Sequence, residues 1–251
     1  MRESSNRLAG QVIAITGAAS GVGLASAHAC RAAGARLALL DRDEAALQKA
    51  GAEVGGDPLC VTVDIGEPDS VTSAFASIRA RFGALHGLFN NAGVAPINVS
   101  ERLEDISDSA WDLALRVNLT GCFLCCRAAI RLIEDSGGGS IVNNASTAAL
   151  VAEPGLEAYS AAKGGVLSLT RSVANSAAPR GVRVNAICPG LIRTPMATSI
   201  GEALASRLQQ DTLLPVPGPE GLDGLVVYLL SPESAYVTGS VFVIDGGLTS
   251  H

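Results

Sequence analysis

Short apolar runs alternate with longer amphipathic stretches along most of this chain. Seven of the runs have the length of a buried strand and predict strands at residues 11–16, 36–40, 59–63, 85–89, 140–142, 182–187 and 240–244. Helical patterns follow the first run up to about residue 33 and recur at residues 67–82, 111–131 and 222–230. Strands that alternate with helices are typical of a parallel sheet that is covered on both faces. The pattern therefore predicts an α/β fold with a doubly wound seven-stranded parallel sheet and helices on both faces.

The composition agrees with this pattern. The 251 residues include 28 glycines, and 48% of the residues are hydrophobic while only 4% are aromatic. Small side chains favour close packing of helices on a sheet that is buried on both faces. A chain of this length can bury one large core. We therefore expect a single domain that spans residues 1–251.

The charge balance excludes several classes of partner. The formal net charge is -6 and the sequence pI is near 5.1, so we expect no basic surface for nucleic acid or for an anionic membrane. Residues 1–6 contain no apolar segment of a signal peptide, and no apolar run reaches the ~18 residues of a membrane span. We expect a cytoplasmic protein.

Three of the six cysteines, Cys122, Cys125 and Cys126, lie close enough together to raise the question of a metal site. They fall within an apolar helical stretch, and the chain has only three histidines. A free cysteine in such a stretch behaves as a small buried hydrophobic residue. The sequence therefore favours core packing, and we expect neither a metal ion nor a disulfide.

The candidate chemistry is concentrated around Tyr159 and Lys163. Residues four apart on a helix share a face, so the phenol and the ammonium are expected to point into the same space. A free phenol has a pKa of roughly 10 and must lose about 2 to 3 units to give up its proton near neutrality, and a nearby cation shifts the pKa in that direction. Ser146 lies thirteen residues before Tyr159, just after the fifth apolar run. Its hydroxyl is placed to hold a carbonyl oxygen while charge develops there.

A glycine-rich turn, Gly-Ala-Ala-Ser-Gly-Val-Gly at residues 17–23, joins the first predicted strand to a helix. This arrangement is typical of a dinucleotide site, because the amino end of the helix attracts the pyrophosphate. We expect Gly17 to permit the tight turn, Gly21 to let the backbone approach the pyrophosphate, and Gly23 to permit close helix packing. Ser20 and Val22 lie in the same turn and complete the predicted cofactor loop.

Asp41 ends the second predicted strand, eighteen residues beyond Gly23. A carboxylate there can accept hydrogen bonds from the adenosine ribose hydroxyls and repels a 2′-phosphate, which favours NAD over NADP. The adjacent Arg42 instead favours NADP, since a guanidinium pairs well with a phosphate. We give the acid more weight and predict NAD.

Ser146, the Tyr159-x-x-x-Lys163 pair and the G-x-x-x-G-x-G spacing at residues 17–23 together resemble the classical short-chain dehydrogenase/reductase family. The resemblance runs from about Gly10 to Gly247. It implies one Rossmann domain in which the serine, tyrosine and lysine transfer a proton while a nicotinamide transfers a hydride. It also implies that Lys163 binds the nicotinamide ribose.

The resemblance implies roles for further residues. Asn118 matches the catalytic asparagine of the family, and we expect a helix irregularity there that holds a water linking Lys163 to solvent. Further cofactor contacts are expected from Asp64 and Ile65 at the adenine, Asn91, Ala92 and Gly93 beside the dinucleotide, Pro189, Gly190 and Ile192 at the nicotinamide, and Thr194 near its carboxamide or the diphosphate. Family members pair through the last helix and strand, so the resemblance also implies a homotetramer.

Two segments depart from the usual family pattern. Ala145 precedes Ser146 where the family usually has a second serine, and Thr147 follows as another hydroxyl near the substrate. Residues 214–218, Leu-Pro-Val-Pro-Gly, stand where family members often have an arginine-rich signature. They belong to residues 195–219, whose loose, proline-rich pattern predicts a short helical substrate lid.

We predict an NAD-dependent enzyme that interconverts a secondary alcohol and a ketone. The predicted substrate contacts are mostly apolar and favour a neutral, fairly hydrophobic small molecule: Ser146, Thr147, Tyr159, Val94, Val151, Leu191 and Met196. Glu153, Glu157 or Arg193 would reverse that inference if its side chain pointed inward. The alternatives are an NADPH-dependent 3-oxoacyl-carrier-protein reductase, which Asp41 and the lack of a basic cluster oppose, and a non-catalytic dinucleotide-binding regulator, which the four filled catalytic positions oppose.

Overall fold

The seven strands in the described part of the chain form one parallel sheet. The structure is a computed structural model that describes residues 6–97, 102–199 and 201–250. The strand order is β3-β2-β1-β4-β5-β6-β7. Strands β2 and β3 are therefore added on one side of β1, and β4 to β7 are added on its other side. The strands are β1 Val12–Thr16, β2 Arg36–Asp41, β3 Leu59–Thr62, β4 Gly87–Asn90, β5 Gly139–Asn144, β6 Val182–Pro189 and β7 Val241–Ile244. The predicted doubly wound seven-stranded parallel sheet is confirmed.

Helices cover both faces of the sheet. They are α1 Gly21–Ala32, α2 Glu44–Val54, α3 Pro68–Phe82, α4 Asp108–Ala114, α5 Cys122–Asp135, α6 Glu157–Ala177, α7 Pro195–Ser199, α8 Glu202–Asp211 and α9 Asp223–Leu230. A π-helical segment, Leu115–Gly121, joins α4 to α5 without a break. Helix α2 was not predicted, because its buried stripe consists of Leu47, Val54 and two very small residues.

The alternation of side chains along each strand divides the core into two layers. Val12 and Ala14 face the layer that is built with α3, α5 and α6. Ile13 and Ile15 point to the opposite face, which packs against α1, α2 and α9. Most side chains in both layers are small or branched, in agreement with the low aromatic content of the chain.

Strand β5 is longer than its apolar run predicted, because two asparagines continue it. Asn143 is buried and donates from Nδ2 to the Thr170 hydroxyl at 2.9 Å. Asn144 donates from Nδ2 to Asn91 Oδ1 at 2.9 Å. Each side-chain NH2 group finds an acceptor, whereas the buried Oδ1 of Asn144 has no hydrogen-bond partner among the described residues. The extension carries the chain to Ser146.

The stretch Asp108–Asp135 is long and apolar enough to cross a membrane by length and composition. In this fold it packs against α3, α6, β4 and β5. Cys122, Cys125 and Cys126 lie on its buried side and are at most 6% exposed, which confirms their predicted place in the core. All six cysteines are free.

Candidate active site

A cavity of about 280 Å³ opens at the carboxyl ends of the central strands, where the sheet order reverses between β1 and β4. This is the place where open α/β sheets bind their ligands. Fourteen of the predicted cofactor residues line it: Gly17, Ser20, Gly21, Val22, Asp41, Arg42, Asp64, Ile65, Asn91, Ala92, Gly93, Tyr159, Lys163 and Thr194.

The glycine turn has the backbone that an anion site needs. Gly17 and Gly21 have φ angles of 67° and 53°, which residues with a Cβ rarely adopt. Ser20 precedes α1, but its side chain makes no capping hydrogen bond. The first backbone N–H groups of α1 are therefore left to a ligand and can bind a diphosphate.

Gly23 faces away from the cavity. A Cβ on this residue would lie 2.0 Å from the carbonyl oxygen of Gly17, so only glycine lets the helix approach the turn. This confirms the predicted packing role of Gly23, which supports the cofactor loop from behind.

The carboxylate of Asp41 is held rigidly at the wall of the cavity. Its Oδ2 accepts a hydrogen bond from Ala19 N at 3.0 Å, and its Oδ1 accepts one from Asp43 N at 3.1 Å. A carboxylate has about four acceptor positions, so it can still accept hydrogen bonds from ribose hydroxyls. Arg42 is exposed beside it on the same wall.

Arg116 is a cavity residue that the sequence analysis missed. It lies on the π-helical segment, and its Nη1 is 3.4 Å from both Asp64 Oδ2 and Glu67 Oε1. Asp64 also accepts from Gly66 N at 2.8 Å. This contact depends on how α4 and α5 cross the sheet. A local sequence motif therefore could not predict that Arg116 lies beside the end of β3.

Asn91 joins the ends of three strands. Its Nδ2 donates to Thr16 O at 3.0 Å, its backbone N–H donates to the Thr16 hydroxyl at 2.9 Å, and its Oδ1 accepts from Asn144. These bonds connect β1, β4 and β5 directly below the cavity. The loop at residues 91–93 is therefore a rigid floor.

Tyr159 is one of five described residues that line both cavities, and it is the only one of the five with a phenol. It lines the first cavity together with Lys163, and it lines a second cavity together with Ser146. The Ser146 hydroxyl makes a hydrogen bond with the phenol and accepts one from Ala148 N at 3.2 Å. Lys163 lies one turn further along α6, and its Nζ is 5.5 Å from the centre of the Tyr159 ring. The predicted trio is brought together.

The structure does not show the expected lowering of the Tyr159 pKa by Lys163. Burial raises the pKa of Tyr159 to about 12, and the hydrogen bond from Ser146 offsets only part of this shift. Burial also lowers the pKa of Lys163 to about 8. The lysine directs its ammonium to the carbonyl oxygen of Asn144, at 2.6 Å, instead of to the phenol. The cost of burying charge therefore exceeds the attraction between the two groups.

The predicted helix irregularity at Asn118 is present as the π-helical segment. Asn118 Nδ2 donates to Val94 O at 2.8 Å and to Ala114 O at 3.0 Å, while Oδ1 accepts from Val94 N at 3.1 Å. A Cβ on Gly93 would lie 2.7 Å from Asn118 Oδ1, so the glycine permits this approach. The asparagine thus fixes the loop that borders Lys163.

The second cavity has a volume of about 140 Å³ and receives most of the predicted substrate residues. Ser146, Thr147, Tyr159, Leu191 and Met196 line it, and so do Pro189, Gly190 and Ile192, which were expected at the nicotinamide. Val94 lines the first cavity instead. Val151 lies in the wall of neither cavity and is 37% exposed.

Of the three charged residues that could change the substrate prediction, one faces inward. Glu153 lines the second cavity, so the prediction of a fairly hydrophobic substrate is not supported. Glu157 accepts from Gly155 N at 3.2 Å, and Arg193 donates to the carbonyl oxygen of Val216, so neither reaches the cavity wall. The path of the loop between β5 and α6 directs the Glu153 side chain into the cavity, and no sequence pattern predicted this orientation.

Helix α8 closes the second cavity from above, within the segment predicted as a lid. Leu204 and Leu208 of α8 pack against Leu156 and Leu248, and Tyr159 borders the same cluster. Arg207 of α8 lies 3.5 Å from Glu153, which connects the helix to the loop after β5.

Known proteins match nearly the whole chain. Residues 17–249 fit the family model described as enoyl-(acyl carrier protein) reductase. 2-(S)-hydroxypropyl-CoM dehydrogenase 3 of Xanthobacter autotrophicus is 39% identical over 98% of this chain and 99% of its own. A 3-alpha-(or 20-beta)-hydroxysteroid dehydrogenase of Mycobacterium tuberculosis is 37% identical over 97% of this chain and 91% of its own. The crystal structure of a short-chain type dehydrogenase/reductase from Mycobacterium marinum superposes with a TM-score of 0.91 at 33% identity and covers 99% of both chains.

Proposed function

The chain belongs to the short-chain dehydrogenase/reductase family, and we propose that it uses NAD to interconvert a compact, neutral secondary alcohol and its ketone. It is an oxidoreductase that acts on alcohols, and the dehydrogenases of this family use nicotinamide dinucleotides. The proposal adds the identity of the dinucleotide, the kind of alcohol and the roles of the residues.

The observation that carries the proposal is the position of Tyr159 in the wall of both cavities. A phenol at this junction lies beside a dinucleotide in the first cavity and beside a small molecule in the second. General acid–base catalysis requires this contact between a titrating group and the reacting oxygen. Ser146 supplies the hydrogen bond that holds the same oxygen.

In the oxidation, the ionised Tyr159 accepts the hydroxyl proton while the carbon–oxygen single bond becomes a double bond. When bound, the oxidised nicotinamide supplies the hydride acceptor and a positive ring charge, which has the sign needed to lower the pKa of Tyr159. Ser146 donates to the substrate oxygen throughout. Lys163 would bind the nicotinamide ribose. It passes a proton of its ammonium group to the water that Asn118 positions and takes up the proton from Tyr159 in its place.

Asp41 supports NAD over NADP. Two backbone N–H groups hold its carboxylate at the cavity wall, so it cannot turn away from an approaching phosphate. A 2′-phosphate would place about two negative charges beside it. Ribose hydroxyls would instead donate to it.

The size of the second cavity supports a compact substrate. Its volume of about 140 Å³ is below the ~300 to 1,000 Å³ of sites for drug-sized ligands. The two dehydrogenase relatives are named for alcohols whose hydroxyl group is on a secondary carbon, and we propose that the substrate of this chain is also a secondary alcohol. We also propose that α7 and α8 act as the substrate lid of a single catalytic domain.

Initial rates with a panel of cyclic, aromatic and aliphatic secondary alcohols, each measured with NAD and with NADP, test the proposal. We expect kcat/KM to be at least ~10-fold higher with NAD. Equal or better rates with NADP would refute the cofactor assignment. Tight NAD binding without oxidation of any alcohol or reduction of any ketone would favour a dinucleotide-binding regulator.

A second candidate is reduction of an acyl group on a carrier protein. The description of the matching family model favours it. Asp41 opposes the NADPH that such a reductase would use, and the net charge of -6 provides no general attraction for an acidic carrier. The same comparison of NAD with NADP distinguishes this candidate from the first.

A further inference from the structure

The wall of the second cavity is apolar except at a few positions. Among the described residues that line it, Glu153 is the only carboxylate. The side chain of Glu153 is only 8% exposed. A buried carboxylate has a large desolvation cost unless donors surround it. The position of Glu153 in a substrate cavity therefore needs an explanation.

Arg207 gives only part of that explanation. Its Nη2 lies 3.5 Å from Oε2 of Glu153, a distance that suits a charge pair but is long for a hydrogen bond. Within the part of the chain that the structure describes, no hydrogen bond is made to Oε1 of Glu153. Burial raises the pKa of the carboxyl group, and Arg207 counteracts this shift. The Asp211 carboxylate lies near enough to add to the upward shift, and the Glu153 carboxylate has acceptor positions to spare.

We propose that Glu153 accepts a hydrogen bond from a second hydroxyl group of the substrate, so that the enzyme prefers a diol to the mono-alcohol of the same carbon skeleton. This inference rests on the proposed function and specifies its substrate class. The first hydroxyl reacts at Tyr159 and Ser146, and the second lies against Glu153 in the same cavity.

The charges around Glu153 select a neutral donor. Arg207 already supplies one positive charge, so an ammonium group would approach a guanidinium and gain little. A substrate anion would meet the carboxylate directly and be repelled. A hydroxyl group donates to the open acceptor without changing the charge of the pair.

A competing explanation is that Glu153 and Arg207 only fasten α8 over the cavity. In that case, loss of either residue would change kcat/KM for all alcohols by the same factor. A contact with the substrate would instead change the ratio of kcat/KM between a diol and its mono-alcohol. The ratio is therefore the decisive measurement.

The test compares cyclohexanol with the 1,3- and 1,4-cyclohexanediols at saturating NAD. In the unmodified enzyme we expect at least one diol to exceed cyclohexanol in kcat/KM by ~10-fold or more. Glu153→Leu should reduce that ratio by ~10- to 100-fold, because a buried hydroxyl loses its charged acceptor. Glu153→Gln keeps the shape and should reduce the ratio by a smaller factor. Arg207→Met should leave the ratio within ~3-fold, since the acceptor remains.

Several results would overturn the inference. They are a ratio near one for every diol, a ratio that neither Glu153 variant changes, or a higher kcat/KM for 4-aminocyclohexanol than for the diols. Oxidation of cyclohexanol with an unchanged ratio would refute the diol preference and leave the proposed function standing. Failure to oxidise any of these alcohols or the wider panel would refute the proposed function itself.

Discussion

The ammonium of Lys163 donates a hydrogen bond of 2.6 Å to the main-chain carbonyl oxygen of Asn144. This bond attaches α6 to the end of β5, the strand that leads to Ser146. It also keeps the amine 5.5 Å from the centre of the Tyr159 ring, within the same cavity but not against the phenol. The bond fixes the lysine relative to the end of β5, while burial keeps the pKa of the phenol above its ordinary value.

Tyr159→Phe should lower kcat by about 10²- to 10⁴-fold, the usual contribution of a general base. The ring would still fill the junction between the cavities, so the dissociation constant of NAD should change by less than ~3-fold. Steady-state rates and fluorescence titration with NADH measure the two effects. Tyr236→Phe is the matched control, because that tyrosine is fully exposed and lies in neither cavity. Retention of more than about a tenth of the activity would exclude the proposed role.

Asp41→Ala should lower the ratio of kcat/KM for NAD over NADP by ~10- to 100-fold. The change removes the repulsion of a 2′-phosphate and leaves the Arg42 guanidinium to pair with it. Parallel kinetics with both cofactors measure the ratio. Adding Arg42→Ala to this variant should remove part of the gain with NADP. A ratio that stays constant in Asp41→Ala would show that Asp41 does not select the cofactor.

The fold and most of the residues that line the first cavity could be predicted because they depend on local patterns. The apolar runs mark the strands, and the glycine turn of residues 17–23 specifies its own conformation through positive φ angles. Tyr159 and Lys163 line the same cavity because they lie one turn apart on a helix. The homotetramer and the cytoplasmic location stay predictions.

The parts that failed depend on tertiary packing. The pKa of Tyr159 rises because the surrounding elements exclude water from the phenol, and a pair of residues on one helix gives no measure of that burial. Arg116 reaches the cavity from a helix that crosses the sheet. Glu153 faces inward because of the path of the loop after β5. Sequence patterns report local geometry, whereas these three features arise from distant contacts.

Gly23→Ala should destabilise the protein by a few kcal/mol and weaken dinucleotide binding. The added Cβ would lie 2.0 Å from Gly17 O and 2.7 Å from Gly17 C, so the cofactor turn must move. Thermal unfolding and NADH titration report the two effects. Gly224→Ala in α9 is the control, because a Cβ there meets nothing within 4 Å and alanine should stabilise the helix by up to ~1 kcal/mol. Equal unfolding temperatures for the two variants would contradict the packing role of Gly23.

Asp223 should make the stability of the protein depend on pH. Burial against α1, with the Glu220 carboxylate nearby, raises the pKa of Asp223 from 3.8 to about 6. The folded protein therefore binds a proton more tightly than the unfolded chain. The stabilisation by protonation is complete below the unfolded pKa near 3.8 and is lost as the pH rises through about 6. Above that pH, the folded protein has to keep a partly buried carboxylate.

Asp223→Asn removes this titration and should stabilise the protein at about pH 7.5 by ~1 kcal/mol. The full shift would imply more, but the group is half-exposed and its charge also interacts favourably with the amino end of α9. The gain corresponds to an increase of ~2 to 4 °C in unfolding temperature for a chain of this size. It should shrink at about pH 5, where the wild-type carboxyl group is mostly protonated. Asp69→Asn, an exposed acid in the first turn of α3, should instead lower stability slightly at both pH values, because the helix loses a favourable charge. A gain for Asp223→Asn that is the same at both pH values would show that burial of the charge is not its cause.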